Sequence, residues 1–162
     1  MEASTVDTRM ARAGMQVYWL LRAGLVALPL LAGIDKFFNW TVNWPDYLAG
    51  WINDIVPGTA QDFMYFVGAV EIAAGLVVLV APRIGGPLVA AWLAGITINL
   101  LTVSPPEYYD IALRDFGLFL AAVTFSRLAW AYHGRITAPS DERRPFRRAT
   151  ATPAVGGPQD RA

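Results

Sequence analysis

The chain has 162 residues, with 13 Lys and Arg against 13 Asp and Glu, so its net charge is zero; 55% of its residues are hydrophobic and only 16% are charged. In a soluble domain about a quarter of the residues are charged, and nucleic-acid binding requires an excess of Lys and Arg, so both classes are excluded. Cysteine is absent and His133 is the only histidine, which argues against disulfides, thiolate nucleophiles, haem and metal sites.

Four apolar segments follow one another along the chain. Residues 84–106 contain no charge in 23 positions, which at about 1.5 Å per residue is enough to cross the roughly 30 Å hydrocarbon core of a membrane. The other three segments carry charges: residues 17–34 with Arg22, 63–81 with Glu71, and 111–131 with Arg114, Asp115 and Arg127. About ten apolar residues in each segment outweigh one central charge, which costs about 2.5 to 3.5 kcal/mol. The sequence therefore predicts an all-α integral membrane four-helix bundle, with helices at about 17–36, 63–81, 85–103 and 111–131.

Two other interpretations of these segments fit the sequence less well. A soluble bundle needs a polar stripe on each outer helix. Charged stripes are missing from residues 23–34, 72–82 and 116–126. A cleavable signal peptide could begin at Arg9 and Arg12, but Arg22 interrupts the apolar run that would follow. We therefore treat the first helix as permanent.

Arginine is concentrated on one side of the predicted bundle. It occurs before helix 1, in the short turn at 82–87 and after helix 4, as Arg9, Arg12, Arg83, Arg127, Arg135, Arg143, Arg144, Arg147 and Arg148. The opposite loops are acidic, with Asp46, Asp54, Asp62, Glu107 and Asp110. By the positive-inside rule both termini are predicted to be cytoplasmic.

The first outer loop carries signals for a helix of its own. Trp44-Pro45 predicts its start and Pro57-Gly58 its end. The apolar residues between them recur at helical spacing: Tyr47, Leu48, Trp51, Ile52 and Ile55. This pattern predicts a short helix in the outer membrane interface, which acts either as an aromatic belt that sets helix depth or as a lid over an outward-facing site.

The two ends of the chain are predicted to lie outside the membrane. Residues 1–16 form a cytoplasmic N-terminal segment. Residues 132–162 are rich in Pro, Gly, Thr and Arg, and contain few large apolar residues. Such a composition predicts a disordered basic cytoplasmic tail, able to contact anionic lipid headgroups.

Charged and amide side chains gather in the outer half of the predicted bundle, with one arginine deeper in helix 1. They form a candidate site for a quinone or an anion: Arg22, Lys36, Glu71, Asn99, Arg114 and Asp115. Ionisable residues at this depth indicate a functional site; the alternative is a salt-bridge network that only fixes helix packing. Helical spacing turns Arg22 and Lys36 into the bundle together, so that Glu71 is expected to meet one of them.

Several short motifs together resemble the DoxX family of small four-helix bacterial membrane proteins. They are Arg22, Gly33-Ile34-Asp35-Lys36-Phe37, Glu71-Ile72-Ala73-Ala74-Gly75-Leu76 and Pro82-Arg83, and the likeness covers about residues 17–131. In that family helix 1 carries an Arg and ends in a Gly-x-x-Lys-Phe pattern, helix 2 carries Glu-x-x-x-Gly, and an Arg follows it. The long aromatic loop of this chain departs from the shorter loop of the family.

The resemblance implies a multi-pass protein of the bacterial inner membrane, close to quinones or respiratory complexes. We expect a non-catalytic accessory or scaffold subunit of a respiratory or other redox membrane complex, without an intrinsic cofactor. Its partners are then membrane lipids and a larger complex or further copies of the chain. Two alternatives remain open: a small quinone- or anion-binding membrane module that uses the polar cluster to hold a quinone or lipid, and a small-solute transporter.

Overall fold

The computed structural model describes the backbone of residues 2–137 and the side chains of residues 6–132; the predicted tail beyond residue 137 lies outside the described residues. Within this part of the chain every regular element is helical, which confirms the all-α prediction. The elements are α1 (Glu2–Phe38), a 3-10 helix (Trp44–Tyr47), α2 (Gly50–Asn53), α3 (Ala60–Val80), α4 (Pro82–Val103) and α5 (Tyr109–Thr137).

Three of the long helices have the length and apolar composition needed to cross a membrane. They are α1 over Val6–Phe38, α3 over Ala60–Val80 and α4 over Pro82–Val103. The 29-residue helix α5 is long enough as well, but it carries Arg114, Asp115 and Arg127. A multi-pass membrane protein is compatible with these helices, and the fourth span stays a prediction.

The helix ends differ from the predicted ones for local reasons. Helix α1 begins at Glu2 instead of near residue 17, so the predicted N-terminal segment is helical. Helix α3 begins with a capping box, in which Thr59 Oγ1 accepts from the Asp62 N–H at 3.2 Å and Asp62 Oδ2 accepts from the Thr59 N–H at 2.9 Å. Only Ala81 separates α3 from α4, because Pro82 occupies the first turn of α4, where its missing N–H costs nothing.

The first loop does not form the single helix that its apolar spacing predicts. It forms the 3-10 helix and the four-residue α2, separated by Leu48 and Ala49 in extended conformation. The break occurs because the Ala49 N–H donates to Asn99 Oδ1 of α4 at 2.9 Å, instead of to a carbonyl within the loop. The predicted apolar stripe is therefore divided. Leu48 is buried against α3, while Trp51 and Ile55 remain 52% and 73% exposed.

The four long helices pack as two close antiparallel pairs, α1 with α3 and α4 with α5. We call the end of the bundle at residues 39–59 and 104–108 the loop end, and the opposite end, at Ala81, the turn end. The main core joins both pairs toward the turn end and contains Tyr18, Leu25, Ala74, Val78, Val89, Ala90, Ala122, Phe125 and Ala129. A smaller core at the loop end packs Leu48 of the first loop against Met64 and Val67 of α3.

Glycines allow α1 and α3 to approach each other closely. An added Cβ at Gly33 would lie 2.7 Å from the Gly68 carbonyl oxygen, and one at Gly68 would lie 2.6 Å from the Gly33 carbonyl oxygen. Gly75 faces Leu30 and the Val26 carbonyl of α1 in the same way. Gly68 and Gly75 therefore form the face of α3 that packs closely on α1.

Replacing either crossing glycine by alanine is expected to separate the two helices. Gly33→Ala and Gly68→Ala should each lower the free energy of unfolding by about 1 to 3 kcal/mol, as overpacking does. The measurement is thermal or denaturant unfolding in detergent. Gly24→Ala is the matched control, because nothing lies within 4 Å of its added Cβ; a loss as large at Gly24 would contradict the close-contact explanation.

Candidate functional site

A buried ion pair joins α1 to α3 at the polar end of the bundle interior. Lys36 Nζ lies 2.7 Å from Glu71 Oε2, and both side chains are only 6% exposed. The Trp44 ring covers the pair from the first loop, with its centroid 3.6 Å from Lys36 Nζ, a cation–π contact. The expected partnership of Glu71 with a cation of α1 is thus confirmed, with Lys36 as the partner.

The neighbouring Asp35 holds the first loop over this pair. Its carboxylate accepts hydrogen bonds from the Trp40 and Thr41 N–H groups at 3.0 and 3.2 Å, from Thr41 Oγ1, and from Trp44 Nε1 at 2.7 Å. Asn39, in left-handed conformation with a φ of 50°, ends α1 just before this turn. One buried carboxylate therefore fixes the position of the aromatic ring that covers Lys36.

Asn99 anchors the rest of the loop to α4. Its Oδ1 accepts from the Ala49 N–H at 2.9 Å and its Nδ2 donates to the Tyr47 carbonyl at 2.6 Å. Tyr47 in turn packs against Tyr108, with ring centroids 4.8 Å apart and the ring planes tilted by 45°. Desolvation, together with the nearby Glu107, Tyr47 and Asp46, raises the pKa of the Tyr108 hydroxyl. The Asn99 amide thus holds the loop that closes the bundle.

A cavity of about 750 Å³ lies between the two helix pairs and reaches the Lys36–Glu71 pair. Its walls are mainly apolar and come from α1, α3, α4, α5 and the first loop. Representative wall residues are Leu28, Ala32, Val67, Leu93, Ile96 and Leu118. Helices α1 and α5 contact each other near the turn end, where the Tyr18 and Phe125 rings stack with their centroids 5.4 Å apart. From this contact toward the loop end, residues of both helices line the cavity.

Three further polar side chains line the cavity. Asp115 of α5 is half-buried and Arg114 is exposed at the rim. The Trp92 indole of α4 lies beside the Glu71 carboxylate but does not reach hydrogen-bond geometry, and its buried Nε1 has no other partner among the described side chains. The cavity therefore combines a hydrogen-bonding end with a long apolar body.

The structure brings together five of the six predicted site residues. Lys36, Glu71, Asn99, Arg114 and Asp115 all line the cavity. Arg22 instead lies toward the turn end, where its Nη2 donates to the Leu79 carbonyl at 2.6 Å. That carbonyl belongs to the last turn of α3, where backbone oxygens lack helical donors, so a long arginine side chain satisfies it.

Sequence reasoning did not select three of the residues that shape this site. Asp35 was noted only as part of the motif at residues 33–37. Its carboxylate accepts hydrogen bonds from residues five, six and nine positions later, Trp40, Thr41 and Trp44, as in a turn closed by a side chain. Trp44 was predicted as a helix start, which it is, but nothing in the sequence indicates its position over Lys36. Trp92 carried no signal, because a tryptophan in an apolar helix is common.

Comparisons with protein-family models, with curated proteins and with solved structures find no match to this chain.

Removing one member of the ion pair is expected to leave the other charge buried without a partner. Glu71→Gln and Lys36→Met should each lower the free energy of unfolding by about 3 to 5 kcal/mol, and the double variant should recover part of that loss. Unfolding of the four proteins in detergent gives the coupling energy.

Arg114→Gln combined with Glu71→Gln is the matched control, because Arg114 is an exposed cation of the same cavity that forms no ion pair with a described carboxylate. These two changes should be additive. Additivity of the Lys36 and Glu71 changes would show that the pair contributes no coupling.

Proposed function

We propose that this chain is a membrane-embedded binding protein for a small amphipathic molecule with a neutral, hydrogen-bonding head, of which a quinone is the best fit. The observation that carries the proposal is the cavity between the helix pairs, whose single polar end contains Lys36, Glu71 and Trp92. Its volume of about 750 Å³ falls within the range of small-molecule sites, which is about 300 to 1,000 Å³.

The charges that line the cavity favour a neutral head over an anion. Lys36 and Arg114 are balanced by Glu71 and Asp115, and the Lys36 ammonium already contacts both a carboxylate and an aromatic ring. A bound anion would have to compete with Glu71 for Lys36, the buried cation of the cavity. A carbonyl oxygen, in contrast, can accept from the unpartnered Trp92 Nε1 without breaking the pair.

The apolar body of the cavity supports an occupant that arrives from the lipid phase. Leu28, at 48% exposure, belongs both to the cavity wall and to the outer surface of α1, and Ile111 and Leu118 line the opposite side from α5. An amphipathic molecule can thus keep its chain in an apolar environment while its head reaches Lys36 and Glu71. Burial of that chain supplies most of the binding energy.

Membership of the DoxX-like group and an accessory or scaffold role in a redox assembly remain part of the proposal. A module that holds a quinone in the membrane suits a subunit beside a quinone-linked enzyme, whether it is attached to a larger complex or to further copies of itself. Identification of the proteins, lipids and quinones that co-purify with the chain in mild detergent tests this role.

Transport is the weaker alternative, for a structural reason. Toward the turn end the cavity borders the main core, where the Val78 and Phe125 side chains are 0% exposed. A solute path across the bundle would require this core to open. Binding requires no such rearrangement.

Binding is expected to depend on the space inside the cavity. Ala32→Phe should fill part of the wall on α1 and weaken the binding of a short-chain benzoquinone at least tenfold, about 1.4 kcal/mol. Saturable quenching of tryptophan fluorescence measures the affinity, since Trp44 and Trp92 both line the cavity. Ala27→Phe, at an exposed position of α1 outside the cavity lining, is the control and should bind as the unmodified chain does. Equal quenching in the two variants would contradict the site.

We also propose four membrane spans, with both termini and the turn end in the cytoplasm of a bacterial cell. The arginine bias supports this orientation. A cysteine introduced at Asp54, in the first loop, should react with an impermeant thiol reagent on intact cells, whereas one at Ser140, outside the described residues, should not. The unmodified chain has no cysteine, so the background is clean. Labelling of position 140 would overturn the orientation.

A further inference from the structure

Two arginine–tryptophan pairs lie at the turn end, one on each helix pair. The Arg22 guanidinium is 5.0 Å from the centroid of the Trp19 ring on α1. The Arg83 guanidinium is 4.3 Å from the centroid of the Trp130 ring, which joins α4 to α5. Both tryptophans are 56% exposed, so each ring holds its arginine beside the outer surface of the bundle.

Neither arginine is neutralised by a described carboxylate. The ion pair of the described side chains, Lys36 with Glu71, is at the other end of the cavity. Arg22 donates from Nη2 to the Leu79 carbonyl at 2.6 Å, and no described group accepts a hydrogen bond from the Nη atoms of Arg83. The Nε atoms of both arginines are buried, so the Nη groups are the donors within reach of an external ligand.

The surroundings of these pairs are strongly cationic. The described charged side chains at the turn end are Arg9, Arg12, Arg22, Arg83 and Arg127, with Asp7 as the acidic one. This excess of positive charge contrasts with the balanced charges of the cavity. A ligand for the turn end must therefore be an anion.

Apolar side chains lie beside the cations on α1. Met15, Trp19 and Leu20 are 41%, 56% and 72% exposed, and with Arg12 and Gln16 they line a shallow groove on α1. Arg12 and Arg22 lie on either side of this apolar patch along the helix. A free anion gains nothing from the patch, whereas an acyl chain does.

We propose that the turn end binds anionic phospholipid, with a lipid phosphate at each of the Arg22 and Arg83 guanidinium groups and the acyl chains on the adjacent tryptophans and exposed apolar side chains. Arginine forms bidentate hydrogen bonds with phosphate oxygens, and the tryptophan faces fix the guanidinium planes. The proposal rests on the membrane location proposed above, and it is independent of what the cavity binds.

The test compares the full chain with Arg22→Gln, Arg83→Gln and Arg127→Gln in detergent micelles doped with phosphatidylglycerol or phosphatidylcholine. Phosphatidylglycerol should raise the melting temperature of the unmodified chain by several degrees more than phosphatidylcholine does. Native mass spectrometry should show tightly bound phosphatidylglycerol. The Arg22 and Arg83 variants should each lose at least half of both effects.

Arg127→Gln also removes one positive charge from the turn end of the bundle, on α5, but Arg127 stacks on no described tryptophan, so this variant should retain most of the effect. Arg22→Lys and Arg83→Lys provide variants that keep the charge, and they should recover part of the lipid count. The tail arginines are common to all variants, so they cancel in the comparison.

Three outcomes would overturn the proposal. One is equal stabilisation by the two lipids, and another is an equal loss in the Arg127 variant. The third is full stabilisation by inorganic phosphate alone, which would indicate an anion site without a lipid.

Cavity variants such as Ala32→Phe should leave the lipid effect unchanged, so that failure of this proposal and failure of the quinone proposal are distinguishable.

Discussion

The contact between Lys36 and Glu71 is the constraint on which the loop end depends. Two charges can remain in an apolar interior only as a pair, because either one alone would carry the full cost of desolvation. The pair requires α1 and α3 to approach closely, and the glycine crossing at Gly33 and Gly68 one turn away allows this. Trp44 then completes the environment of the ammonium, and Asp35 keeps Trp44 in place. Helix crossing, ion pair and loop thus form one unit.

The two ends of the bundle differ in their balance of positive and negative side chains. At the loop end cations and carboxylates are balanced, and the hydrogen-bonding capacity of Asp35 and Asn99 is used to hold backbone groups of the loop. At the turn end arginines outnumber the described acidic residues. The Arg22 and Arg83 guanidinium groups contact tryptophan rings in place of carboxylates, and Arg22 also donates to the Leu79 carbonyl. The first arrangement gives a cavity with balanced charges, and the second gives an exposed cationic surface. The two ends therefore differ in the chemistry of the molecules that they could contact.

The features that follow from local pattern were predictable from the sequence. Apolar segments indicated the long helices, and the helical spacing of Arg22 and Lys36 indicated that a cation of α1 meets Glu71. Features that depend on tertiary contacts were not predictable. Arg22 lies on the same side of α1 as Lys36, but its long side chain donates to the Leu79 carbonyl of α3. The sequence does not show that this carbonyl lacks a donor within its own helix. The first loop has a helical repeat, yet its backbone breaks where Asn99 of α4 takes the Ala49 N–H.

The packing of the long helices in two pairs leaves a seam that is closed at both ends, by the main core at the turn end and by the first loop on Asn99 at the loop end. The α1–α3 and α4–α5 hairpins are joined covalently by Ala81 alone, between α3 and α4, and the main core holds them together near that joint. Toward the loop end the seam between the hairpins contains the cavity, where the apolar walls lack mutual contact. A molecule in the seam would touch both helix pairs and replace that missing contact. Filling the seam is therefore expected to stabilise the packing of the two pairs against each other.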